Sequence, residues 1–325
     1  MAAYTIGVDA GGTKTAYGIL DNEKKIIRRI SHPSDSGAPP EAFFDTIAAR
    51  IQELLDNMGI KKDELRGVGV GMPSFVLFEE GRIIKTSNLP RIRDFPARDY
   101  LMKKLGGVRV LIDNDAHAAA VAEHRHGAGR GFDNLLYCPV STGISSAIIV
   151  NGRLFRGRYG WSGESGHMIA TPGEGIECGC GNRGCYMSWC SGSMIVKHIQ
   201  NWIGSGEKTL MTDMAGGAEN ITCRHLELAY REGDPLAIRA VEQMVRFLGL
   251  WTFNLYVTLN INCFVFGGGL IKMGKGLCRD GDSRDLLIRM KEVFDRYNQN
   301  DLPVYFKEAE LGDDYGIIGA AELLF

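Results

Sequence analysis

The stretches VDAGGTKTAYGILDNEKK, residues 8–25, and VSTGISSAIIVNGRL, residues 140–154, share one design. Each runs from a strand into a loop of small residues, returns as a strand, turns through polar residues and leaves as a strand. A duplicated unit of this kind sets two small-residue loops opposite each other, making a cleft for a phosphate chain between two domains. On the echo alone, two unrelated β-hairpins explain it equally well. In the first loop, Gly11 and Gly12 leave backbone N–H groups open to an anion, Thr13 adds a hydroxyl donor and Lys14 a positive charge. Asp9, at the strand end, is placed to hold magnesium through water. The loop does not follow the Walker spacing, and a tight turn gives the same glycine pair.

The flanking sequence predicts alternating strands and helices. Residues 4–9 read as a buried strand, with a hairpin over 15–20 and 25–31. EAFFDTIAARIQELLDNMG, residues 41–59, has apolar residues at helical spacing and ends in glycine. LRGVGVGMP and VRVLIDND read as strands running into loops, and the helix AHAAAVAEHRHG starts beside Asp115. NLLYCPV and ISSAIIV are strands on either side of STG. Helices follow near 191–203, 222–231, 235–257, 284–298 and 315–324, with the strand INCFVF between the third and fourth. This alternation argues for α/β layers.

Composition narrows the class. The chain has 325 residues, 45% hydrophobic and 23% charged, enough for a large core and more than one domain. A formal charge of −2 gives no basic footprint for nucleic acid or an anionic membrane. No apolar run reaches the length of a membrane span and no signal-peptide core is present, so a cytoplasmic place is expected. The eight cysteines are too sparse for a disulfide scaffold. Cys138, Cys190, Cys223, Cys263 and Cys278 read as buried thiols.

Five further motifs carry chemistry. In IDNDAHAAA, Asp113 and Asp115 flank Asn114 at a strand end before an alanine-rich helix. A carboxylate there can act as general base on a hydroxyl, with the amide orienting the substrate, although a helix N-cap uses the same residue types. STG at 141–143 can offer Thr142 and glycine backbone to a terminal phosphate, and FGGGL at 266–270 can let adenine or ribose lie on bare backbone. Either can equally be a strand-to-helix turn. His167, Cys178, Cys180 and Cys185 supply three thiolates and an imidazole, a complete tetrahedral shell with no open position, so a metal there is structural. Glu164 and His167, three apart in GWSGESGH, can both hydrogen-bond a polyol; alternatively Glu164 orients the ligand histidine.

Together DAGGTK, NDAH, STG, GESGH, CGCGNRGC and FGGGL, in that order from residue 9, resemble the ROK family of sugar kinases and related repressors. The closing LGDDYGIIGAAELL is similar to the family's end. The resemblance implies an actin/hexokinase-like (ribonuclease H-like) α/β fold of two domains with an interdomain cleft. The expected division is residues 1–114, with the C-terminal helix 312–325 packing back on them, and residues 115–311 carrying the zinc site. It implies ATP with Mg2+ as donor, a structural Zn2+, a small-molecule sugar as partner and a homodimer. Carried over by position, Asp115 is the catalytic base, and Asn114, Glu164, His167, Ser74 and Asn88 bind the sugar. Asp9, Gly11, Gly12, Thr13, Lys14, Thr142 and Gly143 lie along the phosphates and magnesium, and Gly268 and Gly269 near adenosine. His167, Cys178, Cys180 and Cys185 hold zinc.

The chain departs from the family at instructive places. Met187 stands where the family usually has a sugar-binding glutamate, His117 replaces the second asparagine of N-D-A-N, and GMPS replaces G-x-P-G. The implied reaction is ATP-dependent phosphorylation of a hexose, an N-acyl hexosamine or a related polyol. The alternatives are a sugar-responsive regulator, for which the phosphate loop at residue 9 leaves no preceding helix-turn-helix, and a sugar-binding protein that has lost catalysis.

Overall fold

In the computed structural model, which describes residues 3–325, the opening stretch forms three antiparallel strands, β1 (Tyr4–Ala10), β2 (Lys14–Leu20) and β3 (Ile26–Pro33). Helix α1 (Pro40–Met58) buries Phe44, Ile47, Ile51 and Leu55 at helical spacing, and Gly59 closes it in the left-handed conformation at φ 65. β4 (Leu65–Met72) then joins β1 in parallel. A three-stranded sheet of β5 (Ser74–Leu77), β6 (Arg82–Thr86) and β7 (Arg93–Phe95) and helix α2 (Ala97–Lys104) follow. β8 (Val110–Asn114) completes the first sheet in the order β3-β2-β1-β4-β8. Its register sets Asp9 opposite Gly71 and Gly71 opposite Asp113, so two carboxylates reach the same row at the strand ends. β8 runs directly into α3 (Asp115–His126), and Leu135–Pro139 (β9), Ala147–Val150 (β10) and Arg153–Phe155 (β11) pair antiparallel in turn.

The chain divides into two compact units. One holds the residues up to Tyr137, Ala147–Gly163 and Ala309–Phe325, and the other holds Cys138–Ser146 and Glu164–Glu308. The second unit is mostly helical: α4 (Tyr186–Cys190), α5 (Gly192–Gly204), α6 (Leu210–Ala215), α7 (Cys223–Glu232) and the long α8 (Pro235–Leu259). Next come β12 (Cys263–Gly267), the short pair β13 (Cys278–Arg279) and β14 (Asp282–Ser283), helix α9 (Leu286–Tyr297), and β15 (Tyr305–Glu308), parallel to β12. Trp251, Phe264, Phe266 and Phe294 are fully buried in its core.

The chain ends as α10 (Tyr315–Glu322) in the first unit, laid on β1 and β4. The approach is close because both strands present glycine: a β-carbon on Gly7 would stand 1.9 Å from the Ile317 carbonyl oxygen, and one on Gly69 1.7 Å from that of Ala320. Glu322, 3% exposed, ties the helix end to Lys24 at 3.5 Å, His126 at 3.0 Å and Arg125. The predicted main strands and long helices all form. The sheet β5–β7, α2, α4, α6 and β15 lie outside the sequence expectation; each of these elements is eight residues or shorter and carries too little pattern to register, whereas β11 forms where the second stretch was expected to leave as a strand. Among the described residues, no helix is long and apolar enough to cross a membrane.

Candidate active site and metal centre

In the first unit, the end of β8 and the start of α3 set the acceptor-side residues. Asn114 caps α3, its Oδ1 accepting from the N–H of Ala116 at 2.8 Å and of His117 at 3.3 Å. Its Nδ2 donates to the Ser74 carbonyl at 3.1 Å, which joins the cap to the hairpin β5–β6. The cap and the substrate-orienting reading are therefore compatible: the amide is fixed by its cap bonds rather than removed from the site by them. Asp115 accepts the backbone N–H of Ala116 at 2.9 Å on Oδ1. Burial pushes its carboxyl up, against that backbone bond.

Asp9 shares this environment. Burial first and the Asp115 charge second raise it from 3.8 to about 6, while Lys14 and Arg29 pull the other way. The first turn of α10 closes on it, since a β-carbon on Gly316 would lie 2.5 Å from the Asp9 carboxylate. Tyr315 is raised to about 12 by burial and then by Asp9 and Asp115. Gly12 packs on Asn88, where a β-carbon would meet the amide carbon at 2.9 Å. Thr13 and Lys14 are exposed beside it.

In the second unit, Thr142 and Gly143 lie in a bend stapled to the start of α5. The Ser193 N–H donates to the Thr142 carbonyl at 3.1 Å, its hydroxyl at 2.9 Å, and Gly192 N–H donates to Ser141 at 2.8 Å. Gly268, at φ 91, passes so near Val140 that a β-carbon would fall 2.3 Å from its carbonyl oxygen. Thr142 and Gly269 line one cavity of about 750 Å³ with Ser193, Ile221, Cys223 and Leu270. Its wall is mostly apolar side chain with hydroxyls at the Thr142 end, a form suited to a nucleoside. Met187 is half-buried, and its methyl lies 3.6 Å from where a Gly143 β-carbon would stand.

The four metal-ligand candidates come together as the spacing predicts. One donor atom from each of His167, Cys178, Cys180 and Cys185 lies within 4.8 Å of every other. His167 Nδ1 is 3.4 Å from Cys178 Sγ, and the sulfurs of Cys180 and Cys185 are 3.7 Å apart. A tetrahedral zinc with ordinary Zn–S and Zn–N bonds has S···N edges of about 3.5 Å and S···S edges of about 3.8 Å. The donor set fits zinc in kind and in spacing. A bridge between Ile169 and Cys185 and the bond from Ala170 N–H to Gly184 carbonyl, 2.7 Å, hold the two arms together. Burial and then the neighbouring thiols push Cys185 up to about 12, so its thiolate calls for a cation beside it. His167 Nε2 faces the Glu164 carboxylate at 4.0 Å, so that pair and the ligand nitrogen occupy opposite sides of one ring.

Sequence reasoning missed Tyr315 and Gly316 beside Asp9, and Ser193, Ile221 and Cys223 in the cavity. No local pattern marks these; the fold delivers them. The small residues SGS, 191–193, at the junction of α4 and α5, are the nearest thing to a signal.

The mixed α/β architecture is the actin/hexokinase-like fold. Residues 5–325 match the ROK family, and the chain belongs to it. It is 30% identical to the glucokinase of Streptomyces coelicolor across 98% of this chain and 96% of that one. The ROK hexokinase of Thermus thermophilus superposes with a TM-score of 0.81 at 30% identity, over 98% of this chain and 97% of that one. A ROK glucokinase from Streptomyces griseus, solved with glucose and AMPPNP, gives 0.79 at 29% identity over 98% of each chain.

Proposed function

We propose that the protein transfers the terminal phosphoryl group of ATP to a hydroxyl of a sugar: a hexose, an N-acyl hexosamine or a related polyol. The observation that carries this is the state of three aspartates. Asp113 is 1% exposed and both its oxygens are already bonded, Oδ1 to Asn114 N–H and His117 and Oδ2 to Arg156, so it is sealed off from a substrate. Asp9 is held near pH 6 beside the glycine loop, a natural oxygen ligand for a cation. Asp115 alone sits at a helix start beside a fixed amide, with backbone N–H groups rather than charged side chains as its donors. It is the base.

Asp115 Oδ2 takes the proton of the acceptor hydroxyl as that oxygen attacks the γ-phosphorus in line. The bond from phosphorus to the bridging oxygen breaks, and ADP leaves. Asn114, Ser74, Asn88, Glu164 and His167 hold the acceptor. Gly11, Gly12, Thr13, Lys14, Thr142 and Gly143 donate to the phosphates, and Gly268 and Gly269 border the nucleoside. Asp9 would hold magnesium, which when bound neutralises charge on the phosphates. His167, Cys178, Cys180 and Cys185 would hold a structural zinc. We take the active form to be a cytoplasmic homodimer that acts on small molecules and not on nucleic acid.

The test is a panel of sugars and polyols assayed for ATP-dependent phosphorylation, with native protein and Asp115→Asn. A positioned base is worth about 10²–10⁴-fold in rate, so the variant should lose that much kcat while ATP binding persists. No turnover on any member of the panel, or near-normal kcat in the variant, would overturn the reading.

A further inference from the structure

One heavily bonded buried charge cluster in the first unit lies outside these roles. Asp113 Oδ1 accepts from His117 Nδ1 at 2.9 Å, and Oδ2 accepts from Arg156 Nε at 2.7 Å. The other ring nitrogen of His117, Nε2, faces the carbonyl oxygen of Ser162 at 3.3 Å. His117 is 2% exposed and Asp113 1%. An oxygen acceptor therefore stands at each ring nitrogen. A neutral imidazole has one N–H and satisfies one of them; the doubly protonated ring satisfies both. The charged groups around the ring are Asp113 from β8, Arg156 from the segment after β11 and Asp115 on its own helix. Two cations thus meet two carboxylates. Burial works against the charged ring, but the bond and charge of Asp113 outweigh it and raise His117 above its ordinary value.

The segment that Arg156 and Ser162 belong to has no strand or helix of its own. It is fixed by side chains. The Arg156 guanidinium lies 3.7 Å over the Phe78 ring, Trp161 meets Phe75 edge-on at 4.8 Å, and Gly160 packs on the Val76 carbonyl. All three partners belong to the β5–β6 hairpin region that carries Ser74, which Asn114 also grips. His117 and Arg156 are the polar anchors that join this segment to the turn bearing Asp115, and Glu164 follows Ser162 by two residues.

We propose that His117, as an imidazolium bridging Asp113 and the Ser162 carbonyl, is a positioning residue that holds residues 156–162 as the backing of the acceptor-binding wall. It touches neither substrate. Its removal loosens the wall without removing the base, so acceptor affinity falls while chemistry on bound acceptor survives. The inference rests on the sugar-kinase reading for its kinetic consequence and stands on geometry for the state of the ring.

Two measurements test it on the full-length native protein. In the first, histidine-labelled protein is studied by NMR, with the His117 signal assigned as the one absent from His117→Asn. The expected result is a ring still doubly protonated at pH 7; a neutral ring there overturns the proposal whatever the protein phosphorylates, and this arm needs no folded variant beyond the assignment. In the second, glucose is the acceptor, with His117→Asn and His117→Gln compared with native. Loss of a bond to a charged donor predicts KM for glucose up by about tenfold. The same variants should keep kcat within about twofold and leave KM for ATP unchanged. Equal loss in both KM values, or a fall confined to kcat, overturns the positioning role. If neither glucose nor any other member of the sugar and polyol panel is turned over, the kinase reading is what suffers. Trypsin susceptibility at Arg156 and Arg158 then decides: it should rise in the variants, and unchanged cleavage counts against the anchor.

Discussion

Replacing Asp9 by asparagine should make the protein more stable and inactive. The carboxyl moves from 3.8 to about 6 on folding, because it is buried and faces Asp115. A shift of about two units, at 1.36 kcal/mol each, is an upper limit of about 3 kcal/mol of native-state destabilisation from its charge. The sign follows from the direction. The native state holds the proton more tightly than the unfolded chain, so the penalty is absent below pH 3.8, grows as pH rises towards 6, and is constant above. At pH 7.5 the asparagine variant is thus favoured by up to about 3 kcal/mol. At pH 4.5 the native carboxyl is already protonated, and the remaining gain is about 1 kcal/mol. Urea unfolding of native and Asp9→Asn protein at these two pH values, without added magnesium, measures the difference. A variant no more stable than native at pH 7.5, or a gain equal at both pH values, refutes the assignment of a strained charge. Added magnesium should stabilise only the native protein.

Metal analysis of protein purified without added zinc should find close to one zinc per chain, and Cys180→Ser should lose it; full zinc content in that variant makes the ligand set wrong. Gly69→Ala places a β-carbon 1.7 Å from the Ala320 carbonyl, well inside contact, so α10 must lift from the sheet. The free energy of unfolding should drop by several kcal/mol, at the upper end for a point change, and a drop under about 1 kcal/mol means the helix docks elsewhere. Met187→Glu puts a hydrogen-bond acceptor where a thioether faces the Thr142–Gly143 bend, and kcat/KM for glucose should rise about tenfold or more, about 1.4 kcal/mol. A native protein that already prefers glucose, and loses activity on this change, ends that idea.

What the sequence made legible follows from how far apart the cooperating residues lie. The zinc ligands sit within nineteen positions and share glycines that let the chain wrap, so pattern alone brought His167, Cys178, Cys180 and Cys185 together. The strand-loop design around Asp9 and the strand-to-helix junction at Asp115 are likewise local, and both formed where expected. The Asp113–His117–Arg156 cluster was not legible, because Arg156 is 43 residues from its partner and looks like any exposed arginine in sequence. Tyr315 beside Asp9 is more distant still. Nor does sequence say which of Asp113 and Asp115 can serve as a base. Both end an apolar strand; only the hydrogen bonds that each accepts separate them.

That separation extends through the first unit. Glu123 is fully buried on α3 and accepts from the backbone N–H groups of Ala128 at 2.8 Å and Leu311 at 3.0 Å. Glu322 is surrounded by Lys24, Arg125 and His126, which hold its carboxyl below the usual range despite burial. Asp113 has its histidine and arginine and is likewise lowered. Each of these carboxylates is compensated, as burial of a charge requires, and each serves the scaffold. Asp9 and Asp115 are the contrary case: both are raised, the Asp115 charge adds to the rise at Asp9, and no arginine or histidine bonds the Asp115 carboxylate. A fold that supplies three or more donors to its structural carboxylates and fewer to two adjacent ones marks those two as the candidates to meet a cation and a proton. The asymmetry ties the stability of the Asp9→Asn variant to its inactivity, since both follow from the same missing partner.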